Sequence, residues 1–478
     1  MLQPQPNRPD RSTTESTNTG GDGKSVFMIS RAEQEARPAA RDGYLQFSGK
    51  DGLGALLMRS TVDFLNGIHL DPSNKLERVV IKLLGAPAIE RMKYVSQLST
   101  ASWVYPDGIH SRFPHIVGCA VLAAECLNQM RSRADASVRA QIDEWGEAVV
   151  AFAMIHDVAH IAPGSHLAHR VWFEGKQDCH EEMSHRLLRA DLGLRCAVEQ
   201  AIGEKGACQL DKIVEEDPSC PPFTWQMITA GGWNADRGDF VLRDSHMCGV
   251  NYGLYDVPII KKNLMITPQG ELAIREAGVS ALEGFFAKRF DMYRNVYYHP
   301  TVRVGAEMTA LVGKRARELF QSGNLEYADE TMRAVLSADS GLSLTVPTVM
   351  NMVEYWWNYH LGQWAHSEDA TLRELSGRVL RREPFKRFSN TPEVVSELTE
   401  RAHRLNFDPS YFVLSVPGST VKLQKDLETA IQVFRNNGSV VSLVEHSPLM
   451  RAFSGVKTLE VSPFVAAPQD LLNGFSAH

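Results

Sequence analysis

The sequence has no apolar run near the ~18 residues that a membrane-spanning helix needs, so no segment is expected to cross a bilayer. Cysteine is scarce. The seven cysteines fall at 119, 126, 179, 196, 208, 220 and 248, an odd number with no Cys-x-x-Cys among them. That excludes a disulfide frame and a thiolate zinc site, and predicts reduced thiols in a cytoplasmic protein. Positive charge is in deficit: 50 Lys and Arg against 57 Asp and Glu give a net charge of −7, which argues against a surface that coats nucleic acid. The start, Met1-Leu-Gln-Pro-Gln-Pro-Asn-Arg-Pro9, lacks a basic segment followed by an apolar one, so no secretory signal is expected. No internal repeat is visible.

A hydrophobic content of 44% with 22% charged residues fits a globular chain, and 478 residues are enough for a large core. Residues 1–43 are rich in Pro, Ser, Thr, Asn and Gly and are expected to form a disordered tail, with order beginning near Tyr44. Residues 55–84 have helical spacing broken by turns at Asn66-Gly67 and Asp71-Pro72. From 88 to about 380 the pattern is mostly helical, including a helix from Glu181 to Leu194. After Pro384 the character changes. Thr391-Pro392-Glu393 starts a helix with Thr as cap and Pro in the first turn. Residues 411–416 and 439–444 read as strands, with a helix over 425–436 between them. The expected architecture is mainly α: a helical body over 44–390 and a small α+β part over 391–478.

The chemistry concentrates around Ala153-Met-Ile-His156-Asp157-Val-Ala-His160. The apolar run 148–155 predicts a buried helix that delivers His156 and Asp157 at its C-terminal end. A lone His-Asp pair arises by chance in many chains, so its company decides. His110-Ser-Arg112-Phe-Pro-His115 is a turn feeding an apolar helix with His115 in its first turn. In Asn234–Val250, the residues Asp236, Asp239, Phe240, Arg243 and Asp244 share one helix face, an unusual density of charge. His115, His156, Asp157 and Asp236 together offer two imidazoles and two carboxylates, a set suited to a divalent ion (Mn, Mg, Fe or Zn) with positions left open. His160, His166, His169, His180 and Glu181 supply further polar groups nearby. This is the residue set that hydrolysis of a phosphate ester requires.

The ordered pattern His…His-Asp…Asp resembles the HD superfamily of metal-dependent phosphohydrolases. The surrounding sequence is similar to the deoxynucleoside triphosphate triphosphohydrolase (dNTPase) branch, most of all to the animal members that join a SAM domain to an HD domain. The resemblance is carried by Gln97-Leu98, by Val104 through His115, by Cys179-His180-Glu181, by Asp236-Arg-Gly-Asp-Phe-Val-Leu-Arg-Asp-Ser-His246, and by Arg289 through Tyr297. It runs from about residue 60 to 390, and more weakly beyond.

By position, the resemblance implies His115, His156, Asp157 and Asp236 as metal ligands. It places His160 and His180 by the α-phosphate, with His180 donating a proton to the leaving 5′-oxygen and Glu181 orienting it. Arg112, Arg237 and Arg289 would bind phosphates, and Phe240 would lie at the sugar and phosphate. Asp244 would accept the sugar 3′-hydroxyl, Gln97 and Leu98 would approach its 3′ and 2′ side, and Tyr297 would pack where a ribose 2′-hydroxyl clashes. Eight residues separate Arg289 from Tyr297, so a helix can place both on one face. The implied partners are a dNTP and further copies of the chain.

Departures stand out. The loop His160-Ile-Ala-Pro-Gly-Ser-His166 is one residue longer than the family's, His169 stands near a family Asp, Phe240 replaces a Tyr, Arg237 a Lys and Tyr298 a Gln, and Pro300 is positioned to bend its helix. No SAM domain is expected before the core. Gly85, Glu90 and Lys93 match the family's guanine-nucleotide regulatory positions without its residue types, so activation of that kind is not expected. Two alternatives remain open: hydrolysis of another nucleotide, and a binding scaffold using the basic cluster Arg378, Arg381, Arg382, Lys386 and Arg387.

Overall fold

The computed structural model describes residues 56–58, 68–173, 175–176, 178–229, 232–421, 431–455 and 459–472. The expected tail over 1–43 and the onset of order at Tyr44 lie outside them.

Two helices form the centre. Helix α1 (Arg112–Arg133) is buried on most of its faces, and α2 (Ala136–Ile155) is wholly buried from Ala148 onward. They form an antiparallel pair because only Ala134 and Asp135 separate them, and Asp135 caps α2 by accepting a hydrogen bond from the Val138 N–H. The expected helix ending at His156 is present and begins five residues earlier than Gln141. Short α3 (Leu167–Trp172) and α4 (His180–Ala190) follow the loop after His160. The helix expected over 181–194 is interrupted at Asp191, whose side chain accepts from Gly193 and Leu194 and so starts a new helix, Leu192–Val214, that packs on α2.

Helix α5 (Ala235–Met247) packs on α1, with Asn234 as its cap. Helix α6 (Val279–Met292) runs into a π-helical turn, Tyr293–Tyr297, closed by the Tyr298 N–H on the Tyr293 carbonyl at 2.9 Å. Pro300 does not bend this helix. It opens α7 (Pro300–Gln321), capped by His299, where a missing N–H costs nothing. Helix α8 (Ala370–Arg381) packs on α7.

The strands are short: β1 (Leu264–Ile266), β2 (Leu272–Arg275), β3 (Lys386–Phe388), β4 (Leu414–Val416), β5 (Gln432–Phe434), β6 (Val440–Val441) and β7 (Phe464–Ala467). One sheet has the order β1-β2-β5-β6, with β2 and β5 parallel. A second has β7 between β3 and β4, all antiparallel. Two further antiparallel pairs join 56–58 to 68–70 and 419–421 to 459–461.

Several local expectations change. Residues 56–58 and 68–70 pair as strands, and helix begins only at Lys75. Within 411–416 only 414–416 is strand; Asp408 caps a helical turn over Pro409–Phe412. Within 439–444 the strand is 440–441, and Ser442 caps the turn Leu443–His446. Residues 432–434, expected as helix, are strand. Val433 is fully buried in register with Ile274 on one side and Val441 on the other, and this pairing overrides the helical spacing. Residues 431, 435 and 436 of that expected helix are not helical either, and 425–430 lie outside the described residues. None of the seven cysteines pairs with another. Among the described residues no helix is long and apolar enough to cross a membrane.

Candidate active site

The C-terminal end of α2, the start of α1 and the start of α5 meet at one point. His115 Nε2 lies 3.1 Å from Asp236 Oδ1 and 3.7 Å from Asp157 Oδ2, and His156 Nε2 lies 3.6 Å from Asp157 Oδ1 and 3.5 Å from Asp236 Oδ1. The structure therefore gathers all four residues that the sequence paired with a metal.

Each imidazole is held by its other nitrogen. His115 Nδ1 is 2.8 Å from Asp239 Oδ2, and His156 Nδ1 is 2.9 Å from the Ala153 carbonyl one turn back. Both contacts leave Nε2 facing the cluster, the arrangement by which outer hydrogen bonds orient metal-binding imidazoles. His156 Nε2 is buried and makes no hydrogen bond. A buried nitrogen without a partner, beside two carboxylates, fits a divalent cation.

Asp239 was visible only as part of the charged face of α5. It is fully buried and bonds Arg243 Nε at 2.8 Å and its terminal nitrogen at 2.7 Å. Gly118 makes room for that pair, since a Cβ there would collide with both side chains.

Electrostatics follow the geometry. Burial opposes ionisation of Asp157, but Arg112, His156 and His160 outweigh it and hold the carboxylate well below its usual range. Burial lowers His115 too, yet its bonds to Asp236 and Asp239 prevail and push it up to about 10 without a metal. His160 and His180 diverge. Burial, then the Arg112 charge, hold His160 well below 6.5; burial also lowers His180, but the hydrogen bond to Asp178 raises it overall. Their rings stack with centroids 4.3 Å apart and planes at 25°.

Beside the cluster lies a cavity of about 520 Å³. Gln97, Leu98, Arg112, His160, His180, Glu181, Phe240, Asp244 and Tyr297 line it, with His115, Asp157 and Asp236 in its wall. Arg112 pairs directly with Asp157. Gln97 Oε1 is buried without a hydrogen bond. Tyr297 donates to Asp244 Oδ2 at 2.7 Å, and His110 Nε2 is 2.9 Å from Asp244 Oδ1.

Other expected residues stand elsewhere. Arg237 follows Asp236 on α5, so the helix turns it roughly 100° away from the cluster, and it does not line the cavity. Arg289 does not line it either. The π-helical turn places Tyr293 in front, with the guanidinium 5.0 Å from that ring's centroid. Arg170 and Arg303 line the cavity instead, and no local pattern marked them. His180 Nδ1 is bonded by Asp178 at 2.9 Å; Glu181 makes no such contact. His166, in the lengthened loop, bonds Asp178 at 2.7 Å with its side chain 70% exposed.

No family model matches the chain. It is similar to the uncharacterized protein YwfO of Bacillus subtilis, 24% identical over 418 residues, which are 84% of this chain and 91% of that protein. It is also similar to the human deoxynucleoside triphosphate triphosphohydrolase SAMHD1, 25% identical over 281 residues. That match spans 51% of this chain and 43% of the human protein, less than half its length. A phosphohydrolase from Bacteroides thetaiotaomicron superposes with a TM-score of 0.72 at 22% identity, covering 87% of this chain and all of that one. The fold is the mainly α-helical HD fold, and the clustered histidines and aspartates are groups that could hold a metal ion.

Proposed function

We propose that this protein hydrolyses deoxynucleoside triphosphates to deoxynucleoside and inorganic triphosphate. The observation that carries the reading is the His115–His156–Asp157–Asp236 cluster beside a cavity that His160 and His180 line together with the Tyr297–Asp244 pair. Similarity to a triphosphohydrolase supports the choice of substrate.

A divalent ion at the cluster would supply charge against phosphate oxygens and lower the pKa of a water. The chain's own residues do the rest. Arg112 brings fixed positive charge to the α-phosphate side, where charge develops as water attacks phosphorus. His160, held neutral, and His180, held toward its protonated form, make a base and an acid of one stacked pair. His180 gives its proton to the departing 5′-oxygen. Tyr297, fixed by Asp244, packs on the sugar where a ribose 2′-hydroxyl would clash, while Gln97 and Leu98 approach its 3′ and 2′ side.

The test is chromatography of products from all four dNTPs and all four NTPs with Mn²⁺ or Mg²⁺, beside Asp157→Ala. Deoxynucleoside plus triphosphate from dNTPs, lost in the variant, is the expected result. Stepwise release of phosphate would overturn it.

A second reading keeps the chemistry and changes the nucleotide. Arg170 and Arg303 line the cavity where Arg237 and Arg289 were expected, and Tyr298 lines it as well. These differences favour a modified or ribonucleotide substrate, which the same panel extended to such compounds would reveal.

A further inference from the structure

We propose that Asp178 is the residue that positions His180, holding its imidazole by Nδ1 so that Nε2 faces the reacting ester. The inference rests on the reading of His180 as proton donor and deepens it. Three imidazoles converge on this carboxylate: His180 Nδ1 at 2.9 Å, His166 Nδ1 at 2.7 Å and His169 Nε2 at 3.0 Å. Asp178 Oδ1 also accepts the backbone N–H of His180 at 3.1 Å. One oxygen thus grips both the backbone and the ring of the first residue of α4, and the His160 ring fixes the plane of the imidazole by stacking. Nε2 remains as the ring nitrogen free to serve the cavity.

The neighbours do not compete for this role. His166 also lines the cavity and packs edge-on against His180 with centroids 5.2 Å apart, but it meets Asp178 through Oδ2, not through the Oδ1 that holds His180, and its side chain is 70% exposed. His169 is buried and does not line the cavity. Glu181 lines the cavity but follows His180 on the helix, about 100° round from it, and is exposed, while the His180 Nδ1 contact is to Asp178. Asp178 lies two residues before the start of α4. No helical spacing announces a partner two residues upstream of a helix start.

The experiment compares wild-type protein with Asp178→Asn and Asp178→Glu on two substrates. One is a dNTP, whose 5′-oxygen leaves with a proton. The other is a p-nitrophenyl phosphodiester, whose leaving group needs none. With Asp178→Asn, kcat on the dNTP is expected to fall roughly 10–100-fold with KM changed less than about 2-fold, while the activated ester loses less than about 3-fold. Asp178→Glu should recover part of the loss. Equal losses on both substrates would reduce Asp178 to a structural role and overturn the proposal.

Imidazole NMR of histidine-labelled full-length protein reads the contact without turnover. The His180 Nδ1–H resonance should shift in Asp178→Asn. An unmoved resonance in Asp178→Asn overturns the proposal whatever the activity. A shifted resonance in a protein that hydrolyses no dNTP keeps the Asp178 contact and removes the triphosphohydrolase reading instead.

Discussion

At the scale of the residue, the site is governed by what stands behind each ligand. His115 faces the cluster because Asp239 takes its Nδ1, and Asp239 is in turn fixed by Arg243. Replacing Asp239 by Asn keeps the shape and removes the charge that makes the imidazole a strong donor. Metal affinity, read by competition with a coloured chelator, is expected to fall roughly 10–100-fold, whereas Asp236→Asn, which alters a proposed ligand itself, should lose more. Equal affinity in Asp239→Asn and wild type would show that Asp239 serves packing alone. Asp239 was legible in the sequence only as one charge on a crowded helix face. That His115 sits opposite it depends on α1 and α5 packing together, which no local pattern encodes.

At the scale of the element, caps and turns decide where side chains land. The π-helical turn after Met292 sets Tyr293 between Arg289 and Tyr297: the guanidinium lies 5.0 Å from the Tyr293 ring centroid, and the Tyr293 and Tyr297 rings are 5.0 Å apart. Nothing in Tyr293-Arg-Asn-Val-Tyr297 distinguishes that turn from ordinary helix. Asp369 shows an element junction that can be tested. It caps α8 through the Leu372 N–H at 2.7 Å and ties α8 to α7 by two bonds from Arg315, at 3.1 and 2.6 Å. Asn caps a helix as well as Asp, so Asp369→Asn isolates the ion pair. Partly exposed, that pair is worth up to about 1 kcal/mol. The Arg315 hydrogen bond holds the Asp369 carboxyl below its ordinary 3.8. A depressed carboxylate stabilises the fold above the unfolded value and loses that contribution as pH falls through the folded one. In urea unfolding, the variant should be less stable at pH 7, with the gap closing below pH 3.8. A gap unchanged with pH would mean that Arg315 contributes by contact rather than by charge.

At the scale of the whole molecule, the change of composition near residue 390 does not separate two structures. Strand β5 extends the sheet of β1 and β2, and β3 pairs with β7. Arg303 on α7 bonds the Pro417 and Ser462 carbonyls and stacks over Phe464 at 4.9 Å, and Pro417 itself lines the cavity. Deleting 391–478 would leave strand edges unpaired and a largely buried guanidinium without acceptors. The shortened chain is expected to aggregate or melt well below the full chain, by size-exclusion chromatography and circular dichroism. A monodisperse product with an unchanged melting temperature would show that the body stands alone. The basic cluster near this boundary is partly neutralised from within: Arg378 pairs with Glu374 and Asp470, and Arg381 with Glu383. That internal pairing weakens the case for it as a nucleic-acid surface.

The sequence alone determined the helical character of the body, the two buried helices and the four residues that cluster. Apolar periodicity and the placement of His and Asp at helix ends are local properties, and they survive folding. The strand at 432–434, the arginines that face the cavity and the carboxylate at Asp239 were decided by tertiary structure. Each depends on which segments, distant in the chain, come within hydrogen-bonding distance, and neither residue type nor spacing carries that information.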